Sequence, residues 1–351
     1  MKDYVVVGLG LAGIAFCEQL IKHRKEFLVY EDGSQSSSTV AGGMYNPVIL
    51  KRFTAVWNAE EQLQQAMPFY KRLEKDLSEK LDHKVPIHRR FASLAEQNMW
   101  FEATDKAALA PFLSSKIVPN SHTTIAAENG FGEVLHTGRV DTKKLLMAYR
   151  SYLRDKGILK TDSFNHSKLR LQENGVFYGD IKARRIVFCE GYGLKRNPFF
   201  NYLPLNGTKG ELLTIRAPQL KLDSVIKSSV FIIPIGDDLF RVGATYKWKD
   251  KTNTPTKEAR EELLAKLKTF LKCDFEVVEQ VAGVRPTVVD RRPLVGKHPK
   301  YDQLAVLNGM GSRGVMIAPT IAAQLFQHLE NGKPLEKEVA ITRFEEKYFV
   351  D

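Results

Sequence analysis

Residues 4–32 read YVVVGLGLAGIAFCEQLIKHRKEFLVYED, and this stretch decides the fold. Tyr4 to Val7 is a short apolar run with the character of a buried strand. Gly8-Leu9-Gly10-Leu11-Ala12-Gly13 follows at once, and Ala12, Ala15, Phe16 and Leu20 recur at helical spacing up to His23. Phe27 to Tyr30 is a second strand, closed by Glu31 and Asp32. Strand, glycine turn, helix, strand and acid, in that order, is the dinucleotide-binding pattern. Gly8 permits the tight turn, Gly10 lets bare backbone approach a pyrophosphate at the helix N-terminus, and Gly13 lets the helix pack close to the strand. Glu31 is placed to accept hydrogen bonds from an adenosine ribose, and an acid there repels the extra phosphate of NADP. The pattern does not separate NAD from FAD.

The far end of the chain does separate them. Val281-Ala282-Gly283-Val284-Arg285-Pro286 is followed by Asp290-Arg291-Arg292-Pro293, and Leu304 to Leu307 reads as a strand. That strand runs into Asn308-Gly309-Met310-Gly311-Ser312-Arg313-Gly314, after which a helix extends to about Leu329 with Pro319 tolerable in its first turn. A second glycine loop at a helix N-terminus suits an electron-rich ring that becomes negative on reduction, as flavin does near N1 and the C2 carbonyl. An NAD dehydrogenase has no need of it, so FAD is the expected cofactor.

Between these ends the chain alternates in character. Trp57 to Leu81 is helical, and from Val85 to about Val134 short apolar runs between turns point to strands. Asp141 or Thr142 caps a helix whose apolar face is Leu145, Leu146, Tyr149, Tyr152 and Leu153, and Gly157 ends it. Asn174-Gly175 marks a hairpin turn, and Ile186 to Cys189 is a strand. Residues 205–280 read as a sheet-rich insert with a turn at 236–238 and a charged helix, Lys257 to Leu271, on its outer face. The fold class is α/β: a Rossmann-like FAD-binding domain with an inserted mixed-sheet (α+β) substrate domain.

Composition bounds the function. A chain of 351 residues has room for two domains at roughly 150 residues each. Hydrophobic residues at 43% and charged residues at 26% exclude a disordered or fibrous protein. Cys17, Cys189 and Cys273 are few, far apart and in apolar runs, which argues for a reducing compartment, buried structural thiols and neither disulfides nor a zinc site. The eight histidines show no metal-ligand spacing, so no metal is expected. The N-terminal apolar run is interrupted by glycines and too short for a bilayer, so a cytoplasmic location without membrane contact is expected. A net charge of +11 suits a nucleic acid, an acidic substrate or a solvated basic surface, and the scatter of Lys and Arg favours the last.

These motifs together resemble the D-amino-acid oxidase superfamily of FAD-dependent oxidoreductases, which includes glycine and sarcosine oxidases. The resemblance spans nearly the whole chain: Gly8-x-Gly10-x-Ala12-Gly13 with Glu31, Gly138-Arg139-Val140-Asp141, Val187 to Gly191, Gly283-Val284-Arg285-Pro286, and Gly309 to Pro319. It implies an FAD domain from residues 1–80, 135–200 and 280–351, and a substrate domain from 81–134 and 201–279. It implies non-covalent FAD, since no cysteine follows Cys273, held by Gly8, Gly10, Ala12, Gly13, Glu31, Asp32, Gly42, Gly43, Met44, Phe164, Gly191 and the run Gly309, Met310, Gly311, Ser312, Arg313, Gly314 and Val315. Arg285 matches the arginine that in relatives grips the substrate carboxylate, a bidentate pairing that orients the α-carbon. Its structural alternative is pairing with Asp290 or backbone carbonyls. Tyr246, Tyr45 and Trp248 are further candidates to line the pocket.

The implied reaction is oxidation of the carbon–nitrogen bond of a small amine or amino acid, with hydride transfer to flavin N5. The cofactor performs the redox step, so no catalytic acid or base is assigned. Oxygen or another acceptor reoxidises the flavin. Gly311-Ser312-Arg313-Gly314, Gly332 to Leu335 and Met44 to Pro47 are also similar to the FAD domain of the bifunctional bacterial enzymes that trim carboxymethylaminomethyl-uridine in tRNA. On that alternative the same chemistry removes the carboxymethyl arm from a wobble uridine, and tRNA is the partner. Two departures stand against it: no methyltransferase domain accompanies the chain, and Arg285 is followed by Pro286, as in free amino-acid oxidases.

Overall fold

The computed structural model describes residues 1–349. β1 (Lys2–Val7) is the hub of the first sheet. β2 (Phe27–Tyr30) pairs with it in parallel on one side and Ile181–Phe188 on the other, and Leu159–Lys160 extends the sheet beyond β2. The edge of Ile181–Phe188 is shared. Its first half pairs antiparallel with Gly175–Tyr178, and its second half pairs in parallel with Leu304–Asn308. Val5 and Val6 are almost wholly buried, as a strand covered on both faces requires.

The helices longer than ten residues are α1 (Leu11–Lys22), α2 (Ala59–Leu77), α3 (Leu94–Thr104), α4 (Thr142–Asp155), α5 (Lys257–Lys268) and α6 (Gly314–Asn331). α1, α2, α4 and α6 pack on one another to form one layer. The Tyr70 hydroxyl of α2 donates to the Val315 carbonyl at 2.9 Å and so pins the first turn of α6. Asp141 caps α4, accepting from Lys144 N at 3.0 Å. Among the described residues no helix is long and apolar enough to cross a membrane.

The second sheet has eight strands. It runs from Glu276–Arg285 through Thr208–Arg216, Leu239–Gly243, Phe231–Gly236, Val225–Lys227, Ile87–Arg90 and Phe131–Val134 to Leu113–Val118. α5 covers part of it, and Leu263 and Leu267 of that helix are fully buried.

Three readings need correction. Residues 280–285, placed by sequence with the FAD unit, pair in the second sheet, because Glu276–Arg285 is one ten-residue strand lying along Thr208–Arg216. Residues 94–104, read as part of a strand region, form α3. Only Trp100 and Ala103 of that helix are buried, so its apolar residues do not mark a helical stripe. Its start was legible in Ser93-x-x-Glu96, where the Ser93 hydroxyl accepts from Glu96 N at 3.2 Å. Cys17 and Cys189 are buried thiols, but Cys273 is half-buried near the end of α5.

Candidate active site

The carboxyl ends of β1, Ile181–Phe188 and Leu304–Asn308 open onto a cavity of about 340 Å³ between the two sheets. A second cavity of about 260 Å³ adjoins it, and the two share Gly8, Glu31, Gln35 and Glu190 as walls. The result is an elongated space at the place where open α/β sheets bind ligands.

At one end the fingerprint segment forms the wall. Gly8 has φ +94°, and a side chain there would run into the Cys189 carbonyl. Gly10 is the N-cap of α1, and both it and Ala12 face the cavity. Gly13 does not line it. Its missing Cβ is what lets α1 sit against the Gly8 carbonyl. Glu31 lines both cavities and is already engaged: Leu9 N donates to it at 2.6 Å, Gly33 N at 3.0 Å and Arg150 of α4 at 2.9 Å. Asp32 and Phe164 line only the smaller cavity. The Phe164 ring stacks on Tyr178 at 4.2 Å and meets Tyr30 edge-on at 5.5 Å. Burial pushes the Asp32 carboxyl up, but hydrogen bonds from Ser34 and Ser163 outweigh it and hold the group below the usual carboxylate range.

The other end is assembled from distant segments. Gly42, Gly43, Met44, Gly191 and the run from Met310 to Val315 all line the larger cavity. Arg313 is the N-cap of α6, so the positive end of an 18-residue helix faces the space. Gly309 is not part of the wall. It has φ +75° and packs beneath Val288 and Leu294.

Arg285 lines the same end. Its guanidinium lies where a Gly210 side chain would be, donates to the Thr245 carbonyl at 3.3 Å and sits 5.6 Å from the Tyr246 ring centroid. Among the described residues no carboxylate pairs with it. Asp290, its alternative partner by sequence, is held by Arg343 at 2.8 Å. Burial lowers the Arg285 pKa from its ordinary value, the Tyr246 phenol acting in the opposite sense.

The two tyrosine candidates fare differently. Tyr246 does not line the cavity but stands beside Arg285 with its ring 43% exposed. Trp248, also exposed, meets it edge-on at 5.3 Å. Tyr45 is buried and is no pocket residue. Along strand Met44–Tyr45 the side chains alternate, so with Met44 on the cavity Tyr45 is directed elsewhere. Its hydroxyl donates to Asp82 at 2.8 Å and receives Lys84 at 3.0 Å, and burial, then Asp82, raise its pKa.

Some wall residues escaped the sequence reading. Ser38 accepts from Leu11 N at 3.3 Å in the first turn of α1, Gln35 accepts from Gly193 N at 3.2 Å, and Gly210 seats Arg285. Arg150 had a faint signal: it lies one turn beyond Leu146 on α4, and both reach the cavity.

A family model described as FAD dependent oxidoreductase, DAO, matches residues 3–327. Glycine oxidase of Bacillus subtilis (strain 168) is 22% identical, covering 94% of this chain and 93% of that protein. The tRNA 5-methylaminomethyl-2-thiouridine biosynthesis bifunctional protein MnmC of Marinobacter nauticus is 21% identical over 92% of this chain and 54% of that protein. Among solved structures, glycine oxidase from Geobacillus kaustophilus superimposes with a TM-score of 0.80 at 18% identity, over 100% of this chain and 99% of that one.

Proposed function

Since the chain belongs to the DAO family of FAD-dependent oxidoreductases and is an enzyme that uses FAD, we propose that its substrate is a small amine or amino acid of the glycine, sarcosine or D-amino-acid type, oxidised at its carbon–nitrogen bond. The residues present fit FAD. The glycine cradle at Gly8, closed to any Cβ by the Cys189 carbonyl, and at Gly10, the N-cap of α1, suits a pyrophosphate. Glu31 keeps lone-pair capacity for a ribose, and Asp32 and Phe164 stand at the adenine end. Gly42, Gly43, Met44, Gly191 and the backbone of residues 310–315 would border the flavin, with Gly13 and Gly309 acting through backbone packing. FAD supplies the two-electron acceptance that the reaction needs. With the boundary moved to about residue 286, the discontinuous FAD unit and the substrate unit complete the reading. The last two positions, 350 and 351, lie outside the described residues.

One observation carries the proposal: Arg285 is a guanidinium in the cavity wall whose expected protein carboxylate is taken by Arg343. A substrate carboxylate completes it bidentately and fixes the α-carbon against the neighbouring wall. The imine product leaves to hydrolyse. Anaerobic bleaching of the bound flavin tests this. An amino-acid-like amine from a panel of glycine, sarcosine, proline and D-amino acids bleaches it, whereas alcohols and 2-hydroxy acids do not. Bleaching by a hydroxy acid alone overturns the reading.

A second reading rests on Tyr246, exposed beside Arg285, and Trp248, exposed beside Tyr246, on a chain of net charge +11. Such faces suit an unstacked base, as at a tRNA wobble position carrying a carboxymethylaminomethyl arm. Salt-sensitive tRNA binding that is lost in Trp248→Ala, together with bleaching by modified tRNA and by no free amino acid, would favour it.

A further inference from the structure

Arg313 is a second guanidinium on the wall of the Arg285 end. It too is half-buried, and among the described residues no carboxylate pairs with it. The flanking acids in sequence are already committed, Asp302 to Lys297 at 3.0 Å and Glu330 to Lys25, Arg184 and Arg185, and so are Asp290, to Arg343, and Glu338, to Arg292 at 3.6 Å and to the Trp57 indole at 2.7 Å. Positive charge instead accumulates. Burial, then Arg291 and Arg292, push the Arg313 pKa down, and the Tyr246 phenol acts on Arg313 as it does on Arg285. Arg291 is exposed, with a left-handed φ of +61°.

The geometry also holds the two arginines together. Gly311 N donates to the Pro286 carbonyl at 3.2 Å, tying the Arg313 loop to the residue after Arg285. Arg313 N is in turn held by the Met310 carbonyl at 3.2 Å. Desolvated like charges without counter-charge are costly, and a ligand anion removes the cost. A glycine-like substrate brings one carboxylate, which one guanidinium satisfies in a bidentate pair. The second guanidinium is surplus to it.

We infer that Arg313, backed by Arg291, is a second anion-binding residue of the substrate compartment, and that the preferred amine carries another anionic group besides the carboxylate taken by Arg285. That group is a second carboxylate or a phosphate. The inference rests on the amine-oxidation reading and specifies its substrate class. It assigns the Arg313 side chain to substrate and leaves the backbone of its loop to the flavin.

The test uses the FAD-loaded enzyme and anaerobic bleaching by two matched sets. One is glycine, sarcosine and D-alanine. The other is iminodiacetate, D-aspartate and D-glutamate, with O-phospho-D-serine as the phosphate arm. Dianionic amines are expected to exceed monoanionic ones by at least about tenfold in kcat/KM, the size of one charge-assisted contact. Arg313→Gln should erase that ratio, chiefly through KM, and Arg313→Lys should restore part of it. The phosphate and carboxylate arms show which anion is preferred. A readout independent of turnover is perturbation of the flavin spectrum by non-reacting acids, where malonate should bind more tightly than acetate in the native enzyme and not in Arg313→Gln. If monoanionic amines bleach the flavin and dianionic ones gain nothing, the inference fails while amine oxidation stands. If no amine of either set bleaches it, both fail. A shifted flavin spectrum or midpoint potential in ligand-free Arg313→Gln, with equal losses for both sets, overturns the inference in favour of a flavin contact.

Discussion

At the fingerprint end of the cavity, one continuous segment, residues 4–32, supplies strand, turn, helix and acid. At the Arg285 end, Gly210, Tyr246, Arg285 and Arg313 arrive from four separate segments. The first region works through backbone and the absence of side chains: Gly8 and Gly13 leave no room for a Cβ, and the start of α1 faces the space. The second works through charged side chains whose protein partners are missing or engaged elsewhere. One end should therefore be sensitive to added atoms, and the other to removed charge.

The largest effect is expected at Gly13. In Gly13→Val the new side chain collides with the Gly8 carbonyl, and that neighbour is backbone and cannot swing away. Overpacking of this kind costs about 1–3 kcal/mol or more, and here it falls on the turn that shapes the cradle. The variant should purify with little or no flavin and a lower Tm, read by the 450 nm region of the spectrum and by thermal melting. A yellow variant of native Tm would break the contrast between the two ends.

Next is Arg285. Arg285→Lys keeps the charge but loses the fork that grips a carboxylate. We expect flavin content to be unchanged and kcat/KM to fall by roughly 10- to 100-fold, the loss of a charge-assisted hydrogen bond. Loss of flavin instead of activity would put Arg285 in the cofactor's half of the comparison.

A smaller effect is expected from the strap beneath Tyr246. Lys209, 1% exposed, bonds Asp250, Thr252 and the Thr254 carbonyl, and so ties residues 244–256 to the second sheet. The Lys209 ammonium, then hydrogen bonds from Thr252, hold the Asp250 carboxyl down to about 2. A depressed carboxyl pKa stabilises the fold above the unfolded value and loses that contribution as pH falls through the folded one. Asp250→Asn should thus melt lower than the native protein at pH 7. The gap should hold down to about pH 4 and close toward about pH 2. A gap that widens on acidification would contradict the pairing.

The smallest effect belongs to Tyr246. Its exposed ring near Arg285 contributes a cation–π contact of about 0.5–1 kcal/mol. Tyr246→Ala should raise KM by roughly two- to fivefold and leave Tm within about a degree.

The legibility of the two ends differs for the same reason. The glycine fingerprint was readable because its residues fall within about thirty positions and are of types that few other contexts demand. Tyr45 was misplaced because neighbouring positions on a strand face opposite ways, and only the pairing with Gly138–Val140 sets which way each points. α3 was missed because its exposed Leu94, Met99 and Phe101 obscure the two residues that are buried. Arg150 showed only as a polar position on the α4 face, and its bond to Glu31 spans 119 positions.

Sequence by itself determined the dinucleotide unit and the second glycine loop at α6, since each is written in short-range pattern and backbone geometry, while the order of motifs along the whole chain carried the resemblance to the family and its cofactor. Tertiary structure alone decided that Arg285 belongs to the second sheet, that Arg343 and not Arg285 holds Asp290, and that Gly210 makes the seat for a guanidinium. Those outcomes depend on strand register and on which charges meet across 50 or more residues. Composition and periodicity do not encode that choice, because a surplus arginine and a paired one read alike until the partner is found elsewhere.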